Sequence, residues 1–275
     1  MPVPDSAFIE SLSADRMENV CILTDSSAIF SRATFTGHDQ VKVMPFDAQF
    51  TASPKLVPPS VDDFIREYTI LGRTYGHILV VVMSTGLNPI ARVAADAAIQ
   101  FGGRTSVTVV DSLNAGAGLG LLIELAAQAV ASGDSPQEVE RIMRASIPHI
   151  YTLFCIPGLS HLASVGYLST AQAVVGDMLG LLPIFMLEEG HLSPLEKVRT
   201  QRHLIESFQE FMDEFESPRA IALVKGAQNH MRTRPLRQYV SELFHDTPFS
   251  EHALNAPLTV LLGPQTIGLT VMELE

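Results

Sequence analysis

The chain contains no tryptophan, and aromatic side chains make up only 7 % of it. Platforms that stack nucleic-acid bases or sugar rings are therefore not expected. Basic residues are scarce as well: 18 Lys and Arg stand against 30 Asp and Glu, for a formal net charge of −12. Without a basic run, nucleic acid and anionic membrane are excluded as main partners. The two cysteines, Cys21 and Cys155, each lie in an apolar run and neither has a CxxC partner. They read as buried core thiols of a cytoplasmic protein. The nine histidines show no HxxxH or HExxH spacing, so neither a metal site nor a cofactor is expected. Long apolar runs are missing too. Ala115 to Val130 comes nearest, but Glu124 and Gln128 interrupt it, which argues against a membrane span. The first 20 residues carry acids where a signal peptide needs a basic region and an apolar stretch.

What is present is apolar surface. The chain is 47 % hydrophobic and 17 % charged, with a mean hydropathy of +0.23. A large core, an apolar ligand cavity or a large interface follows. At 275 residues, one large or two medium domains are expected.

The stretch from His77 to Gln100 organises the rest. Ile78 to Met83 is an unbroken run of six apolar residues, rich in valine, which reads as a strand buried on both faces. Ser84, Thr85 and Gly86 follow, then Asn88 as a helix N-cap and Pro89 at the first helical position. Ile90, Val93, Ala94, Ala97 and Ala98 recur at helical spacing. Strand, hydroxyl-bearing loop and helix N-terminus together make an anion site. A second reading is a turn whose hydroxyls only tie up backbone groups.

Before this stretch, residues 1 to 18 read as an irregular or helical leader. Val20 to Leu23 is a strand that runs into Thr24, Asp25, Ser26 and Ser27, a second small polar loop able to floor the same site. Val41 to Met44 is a strand, Phe46 to Pro59 a proline-rich loop, and Ser60 caps a helix from Val61 to about Leu71. Beyond it, Ser106 to Val110 is a strand ending at Asp111 and Ser112. An apolar helix then runs to about Ala131. Gly116, Gly118 and Gly120 at its start would be costly in a free helix and point to close packing against backbone or ligand. Another helix starts at Asp134, Ser135 and Pro136. Strands alternating with helices at this spacing give a parallel α/β sheet.

The character changes near Ile147. Tyr151 to Ile156 is a strand and Ala171 to Leu182 a helix. Ile184 to Leu187 and His191 to Ser193 flank Glu188, Glu189 and Gly190 as a hairpin. Lys197 to Phe215 reads as a long amphipathic helix with Leu204, Phe208, Phe211 and Phe215 as its stripe. Ala220 to Val224, a helix from about Arg234 to His245, and the strand-like run Leu258 to Leu262 complete a second α/β unit. The expected domains are 1–148 and 149–275.

Thr24 to Ser27 (TDSS), Met83 to Leu87 (MSTGL), Val109 to Ser112 (VVDS) with Gly118 to Leu122 (GLGLL), and Leu195 to Thr200 (LEKVRT) follow one another in the order of the DegV family motifs, which they resemble. The resemblance implies two α/β domains that hold one long-chain fatty acid in a tunnel between them. No cofactor is implied. The lipid carboxylate would lie near Ser84, Thr85 and Gly86, with Ser26 and Ser27 beside it. Arg199 would face the domain interface or a separate fatty-acid kinase, to which the lipid is presented. Three positions depart from the pattern. LVPPS at Leu56 to Ser60 stands where the family has TSQPS, leaving Thr51 or Ser53 to replace the lost hydroxyl. Tyr167 in VGYLS stands for an arginine, and Leu261 or Leu262 for a histidine. Two other readings compete: a family member turned regulatory or partner-binding subunit, and an enzyme using Ser84, Asp25 and Asp111. VMSTG is no GxSxG elbow, and His77 lies at the far end of the strand from Ser84, which weighs against the enzyme.

Overall fold

A computed structural model describes residues 19–51 and 53–273. The leader read at residues 1 to 18 lies outside the described residues. Strands β1 (Val20–Asp25), β2 (Val41–Met44), β5 (His77–Val82) and β6 (Ser106–Asp111) form an all-parallel sheet in the order β2-β1-β5-β6. Between them a small antiparallel ribbon, β3 (Asp47–Gln49) with β4 (Lys55–Val57), interrupts the stretch that reads as plain loop.

Every residue of β5 is buried, as its uninterrupted apolar run requires. Ile78, Val80 and Val82 pack toward helices α1 (Val61–Leu71) and α2 (Ile90–Gln100), against Phe64, Tyr68, Ile90, Ala94 and Ala97. Leu79 and Val81 point the other way, toward α3 (Ala117–Ala131) and α4 (Pro136–Ser146). Helix α1 begins with the capping box of Ser60 and Asp63, which satisfies two of the amides that a helix start leaves without partners. Asn88 behaves slightly differently from the expected N-cap. Its Oδ1 accepts from the Ile90 amide at 3.2 Å, and its Nδ2 donates to the Leu56 carbonyl at 3.0 Å, tying the loop to β4.

The second sheet has six strands in the order β11-β10-β12-β7-β8-β9. They are β7 (Ile150–Cys155), β8 (Leu182–Glu188), β9 (His191–Val198), β10 (Pro218–Lys225), β11 (Phe249–Ala253) and β12 (Ile267–Glu273). Only the β10–β11 pair is parallel. Helices α5 (Leu159–Ser164) and α6 (Thr170–Met178) join β7 to β8. On one face of the sheet, α7 (Gln201–Met212) and α8 (Arg234–Leu243) cover Leu153, Cys155, Ile221, Leu223 and Val271. The expected stripe of Leu204, Phe208, Phe211 and Phe215 is buried there.

Several elements differ from the sequence reading, which contains neither β11 nor β12. The α7 helix starts at Gln201 and not at Lys197, because Lys197 and Val198 pair with Pro183 and Leu182 in the β8–β9 hairpin. Helix α6 stops at Met178, and Leu182 already belongs to β8. Leu258 to Leu262 is no strand: it lies in helix α9 (Ala256–Leu262), capped by Asn255 with Pro257 in its first turn. Its buried face then completes the apolar layer between the sheets. Phe154, Phe185, Leu187, Val224, Leu258 and Val260 join the core cluster that contains Met83, Leu87 and Ile90 of the first sheet. One apolar body thus runs from sheet to sheet. Cys21 is buried in this body and Cys155 under α7 and α8, and burial pushes both thiols up to about 12, so they pack as small apolar groups. Among the described residues no helix is long and apolar enough to cross a membrane.

Candidate functional site

The chain leaves β1 toward β2 on one side and later enters β5 on the other, so the strand order reverses between β1 and β5. In open parallel sheets this switch point leaves a crevice outside the carboxyl ends of the strands, and ligands bind there. The loops that meet at this crevice are Thr24 to Ser27 after β1, Ser84 to Asn88 after β5, and Asp111 to Asn114 after β6.

The Ser84 loop is closed by its own hydrogen bonds. The Met83 amide donates to Asp25 Oδ2 at 2.6 Å, and the Ser84 amide donates to the Asn114 carbonyl at 2.9 Å. The Thr85 amide donates to Asp111, and the Gly86 amide to Ser84 Oγ at 3.1 Å. The Leu87 and Asn88 amides both turn back to the Ser84 carbonyl at 3.0 Å. Every amide from Met83 to Asn88 therefore has a partner within the fold. The anion nest expected from the sequence is spent on structure, and only side chains remain to meet a ligand.

Ser84 itself is fully buried. Its hydroxyl donates at 2.8 Å to the carbonyl of Gly190, in the turn between β8 and β9. The turn from the second sheet is seated directly on the loop of the first. Two backbone conformations fit it there: Glu189 at φ +46° and Gly190 at φ +80°. A side chain at Gly190 would overlap Ser84 Oγ, and one at Gly86 would overlap the Gly190 carbonyl. Thr85, half-buried, keeps an unengaged hydroxyl.

Ser26 and Ser27 sit on the neighbouring loop. Ser26 Oγ accepts from the Phe46 amide at 2.9 Å and keeps its proton for a further acceptor. Asn255, the α9 cap, donates to the Ser26 and Ser27 carbonyls at 3.1 and 2.9 Å and so docks α9 on this loop. The carboxylates of Asp25 and Asp111 are both engaged by backbone amides. Asp25 receives the Ser27 and Met83 amides, and Asp111 receives those of Thr85 and Leu113. Burial pushes the Asp25 carboxyl above its usual range, which the hydrogen bonds from Ser27 and Met83 offset in part. Both aspartates are braces for the loops.

A cavity of about 220 Å³ opens beside Leu87 and Asn88. Its wall includes Leu56, Tyr167 and Leu261, with Lys55 among the lining residues. Leu56 and Tyr167 are two of the positions singled out in the sequence, and Leu261 is one of the two candidates for the third. They are far apart in the chain yet line one cavity. The Tyr167 hydroxyl reaches the Leu87 carbonyl at 3.5 Å. Thr51 does not restore the missing hydroxyl, because its own is turned back onto the Ser53 carbonyl at 2.6 Å.

Arg199 stands apart from these loops, exposed at the junction of β9 and α7, where Thr200 caps the helix by accepting from the His203 amide. Arg202 pairs with Glu206 along α7 at 2.8 Å, as the spacing implies, while Glu196 accepts from Ser207. Sequence reasoning missed Gly190 and His191 at the site. The EEG turn was legible as a turn, but nothing local shows that it lands on a loop 106 positions away.

The family model described as "Uncharacterised protein, DegV family" matches residues 48–274. A DegV domain-containing protein of Deinococcus radiodurans is 27% identical over 230 residues, covering 82% of this chain and 80% of that one. Protein DegV of Bacillus subtilis is 22% identical over 280 residues, covering 91% and 98%. Among solved structures, the B. subtilis DegV, described as a fatty acid binding protein, superposes with a TM-score of 0.80 at 21% identity and covers 93% of this chain and 100% of that one. The Streptococcus pneumoniae fatty acid kinase B3 protein, loaded with linoleic acid, superposes with a TM-score of 0.79 at 17% identity, covering 92% and 99%. The order of the motifs, the two α/β halves and the matched span agree, and the chain belongs to the DegV family.

Proposed function

We propose that this chain binds a long-chain fatty acid between its two sheets, with the head group at the Ser84 loop and the division between domains at residues 148 and 149. The observation that carries this is the position of the loop. It stands at the switch point of the first sheet and at the edge of an apolar cluster continuous with the second. A chain of about 16 carbons buried at ~0.8 kcal/mol per methylene gains on the order of 10 kcal/mol before entropy losses. Tight binding therefore needs no ion pair, but a carboxylate left bare in an apolar site would cost several kcal/mol. The hydroxyls of Thr85, Ser26 and Ser27 are the groups of the two loops available to meet it. The fatty-acid relatives of the same fold support the reading. Titration of delipidated protein with hexadecanoic acid tests it: saturable binding of one equivalent is expected, and no binding sinks it.

The chain is a binding protein in this reading and not an enzyme. The Ser84 hydroxyl is engaged with the Gly190 carbonyl and the Gly86 amide, and both nearby aspartates hold backbone amides. For the partner, exposed Arg199 and Lys197 form a basic spot on an acidic protein, suited to a separate fatty-acid kinase. Arg199→Glu should abolish coupling to such a kinase while leaving lipid retention unchanged; acyl-phosphate formation at the wild-type rate would refute this role. One observation favours a second reading, a regulatory subunit that has lost its ligand. It is the apolar replacement at Leu56, Tyr167 and Leu261, all lining one cavity.

A further inference from the structure

We infer that His191 is the carboxyl partner of this site. The inference rests on the fatty-acid reading above and names the group that recognises the acid. His191 follows Gly190 in the turn seated on the Ser84 loop. A β-carbon placed on Gly86 would lie 3.0 Å from His191 Cδ2, so the edge of this exposed ring lies over the loop. Nδ1 lies 3.1 Å from the Glu189 carbonyl. A carbonyl oxygen can only accept, so Nδ1 carries the proton, and in the neutral ring Nε2 is left with its lone pair. Cδ2 is bonded to Nε2. The free nitrogen therefore belongs to the edge that faces the loop.

The rest of the site makes this nitrogen the fitting one. The loop amides are consumed, and the remaining hydroxyls are uncharged. The carboxylates of Asp25 and Asp111 brace the loops from within, and exposed Glu188 and Glu189 flank the ring on its own turn. Apart from the loop hydroxyls, a bare fatty carboxylate would meet acceptors and negative charge. The imidazole changes that balance. Nε2 accepts the proton of a carboxylic acid, or, once protonated, donates to the carboxylate, and the pair shares one proton in either form. An alcohol or ester head lacks this second form. The site should thus distinguish acid from alcohol through His191, while the chain is held by apolar burial.

The test compares hexadecanoic acid with hexadecanol on delipidated full-length protein. Wild type should prefer the acid by about ten-fold or more, the worth of one charge-assisted hydrogen bond. His191→Leu should reduce that preference to near parity with hexadecanol affinity unchanged, and His191→Lys should keep it. A merely structural role would move both ligands together. Unchanged acid preference in His191→Leu overturns the inference while the fatty-acid reading stands. Loss of the preference in Lys55→Met instead would place the head at the cavity of Leu56 and Tyr167 and overturn it too. If neither ligand binds wild type, both the inference and the reading fall.

Discussion

Replacing Gly120 by alanine should destabilise the protein by about 2 kcal/mol or more, against what helix propensity implies. In a free helix the change would gain ~1 kcal/mol. Here Gly120 lies in α3, where the sheet-facing turn of the helix packs on the chain leaving β1. An added β-carbon would overlap the Ile29 carbonyl oxygen and sit 2.5 Å from its carbon and 3.1 Å from the Phe30 nitrogen. These are backbone atoms, so no rotamer change relieves the overlap. Overpacking of this kind costs roughly 1–3 kcal/mol and sometimes more. Each kcal/mol lowers the melting temperature of a chain this size by about 2–4 °C. A fall of at least ~4 °C by calorimetry is expected; an unchanged or raised Tm would show that α3 is not packed as described.

The contact between Ser84 and Gly190 should behave as a coupled unit. Ser84→Ala leaves the buried Gly190 carbonyl and the Gly86 amide without their partner, a loss of about 1–3 kcal/mol. The loop is therefore part of the fold, and this variant should weaken lipid binding and stability together. Gly190→Ala forces a left-handed conformation at roughly 1–2 kcal/mol and drives its β-carbon into Ser84 Oγ. That β-carbon would lie 3.3 Å from Ser84 Cβ and 3.2 Å from Leu113 Cδ2. Removing the hydroxyl removes the worst of the clash. The double variant should accordingly be less destabilised than the sum of the singles by about 1 kcal/mol. Strict additivity in denaturant melts would mean that the turn is not seated on the loop.

Much of the fold was legible because local and tertiary signals agree. The β5 run, the Ser60 cap and the stripe of α7 each have one structure that satisfies their pattern. Where signals compete, the reading failed in instructive ways. Leu258 to Leu262 is short, apolar and β-branched in the middle, so periodicity alone cannot separate strand from helix. The deciding features lay just upstream, in Asn255 as cap and Pro257 in the first turn. Lys197 and Val198 read as helix from composition, but pairing with β8 overrides that propensity.

The site divides along the same line. The loop positions of Ser84, Thr85, Gly86, Ser26 and Ser27 were readable because they follow strands in short polar stretches. That these loops would spend all their amides internally was not readable, since the acceptors are Asp25, Asp111 and Asn114, brought in by sheet pairing. His191 was invisible for a stronger reason. Its neighbours in sequence are a hairpin, and its neighbours in space belong to the other sheet. Likewise Leu56, Tyr167 and Leu261 are far apart in the chain, and only the fold gathers them around one cavity.

The most direct test of lipid binding needs no added ligand. Protein expressed in bacteria and purified without detergent would be denatured, extracted and weighed against its lipid by mass spectrometry. The account predicts about one long-chain fatty acid per chain, released only on denaturation because the apolar layer between the sheets encloses it. Extracts without stoichiometric fatty acid, from protein that is folded by calorimetry, would contradict it.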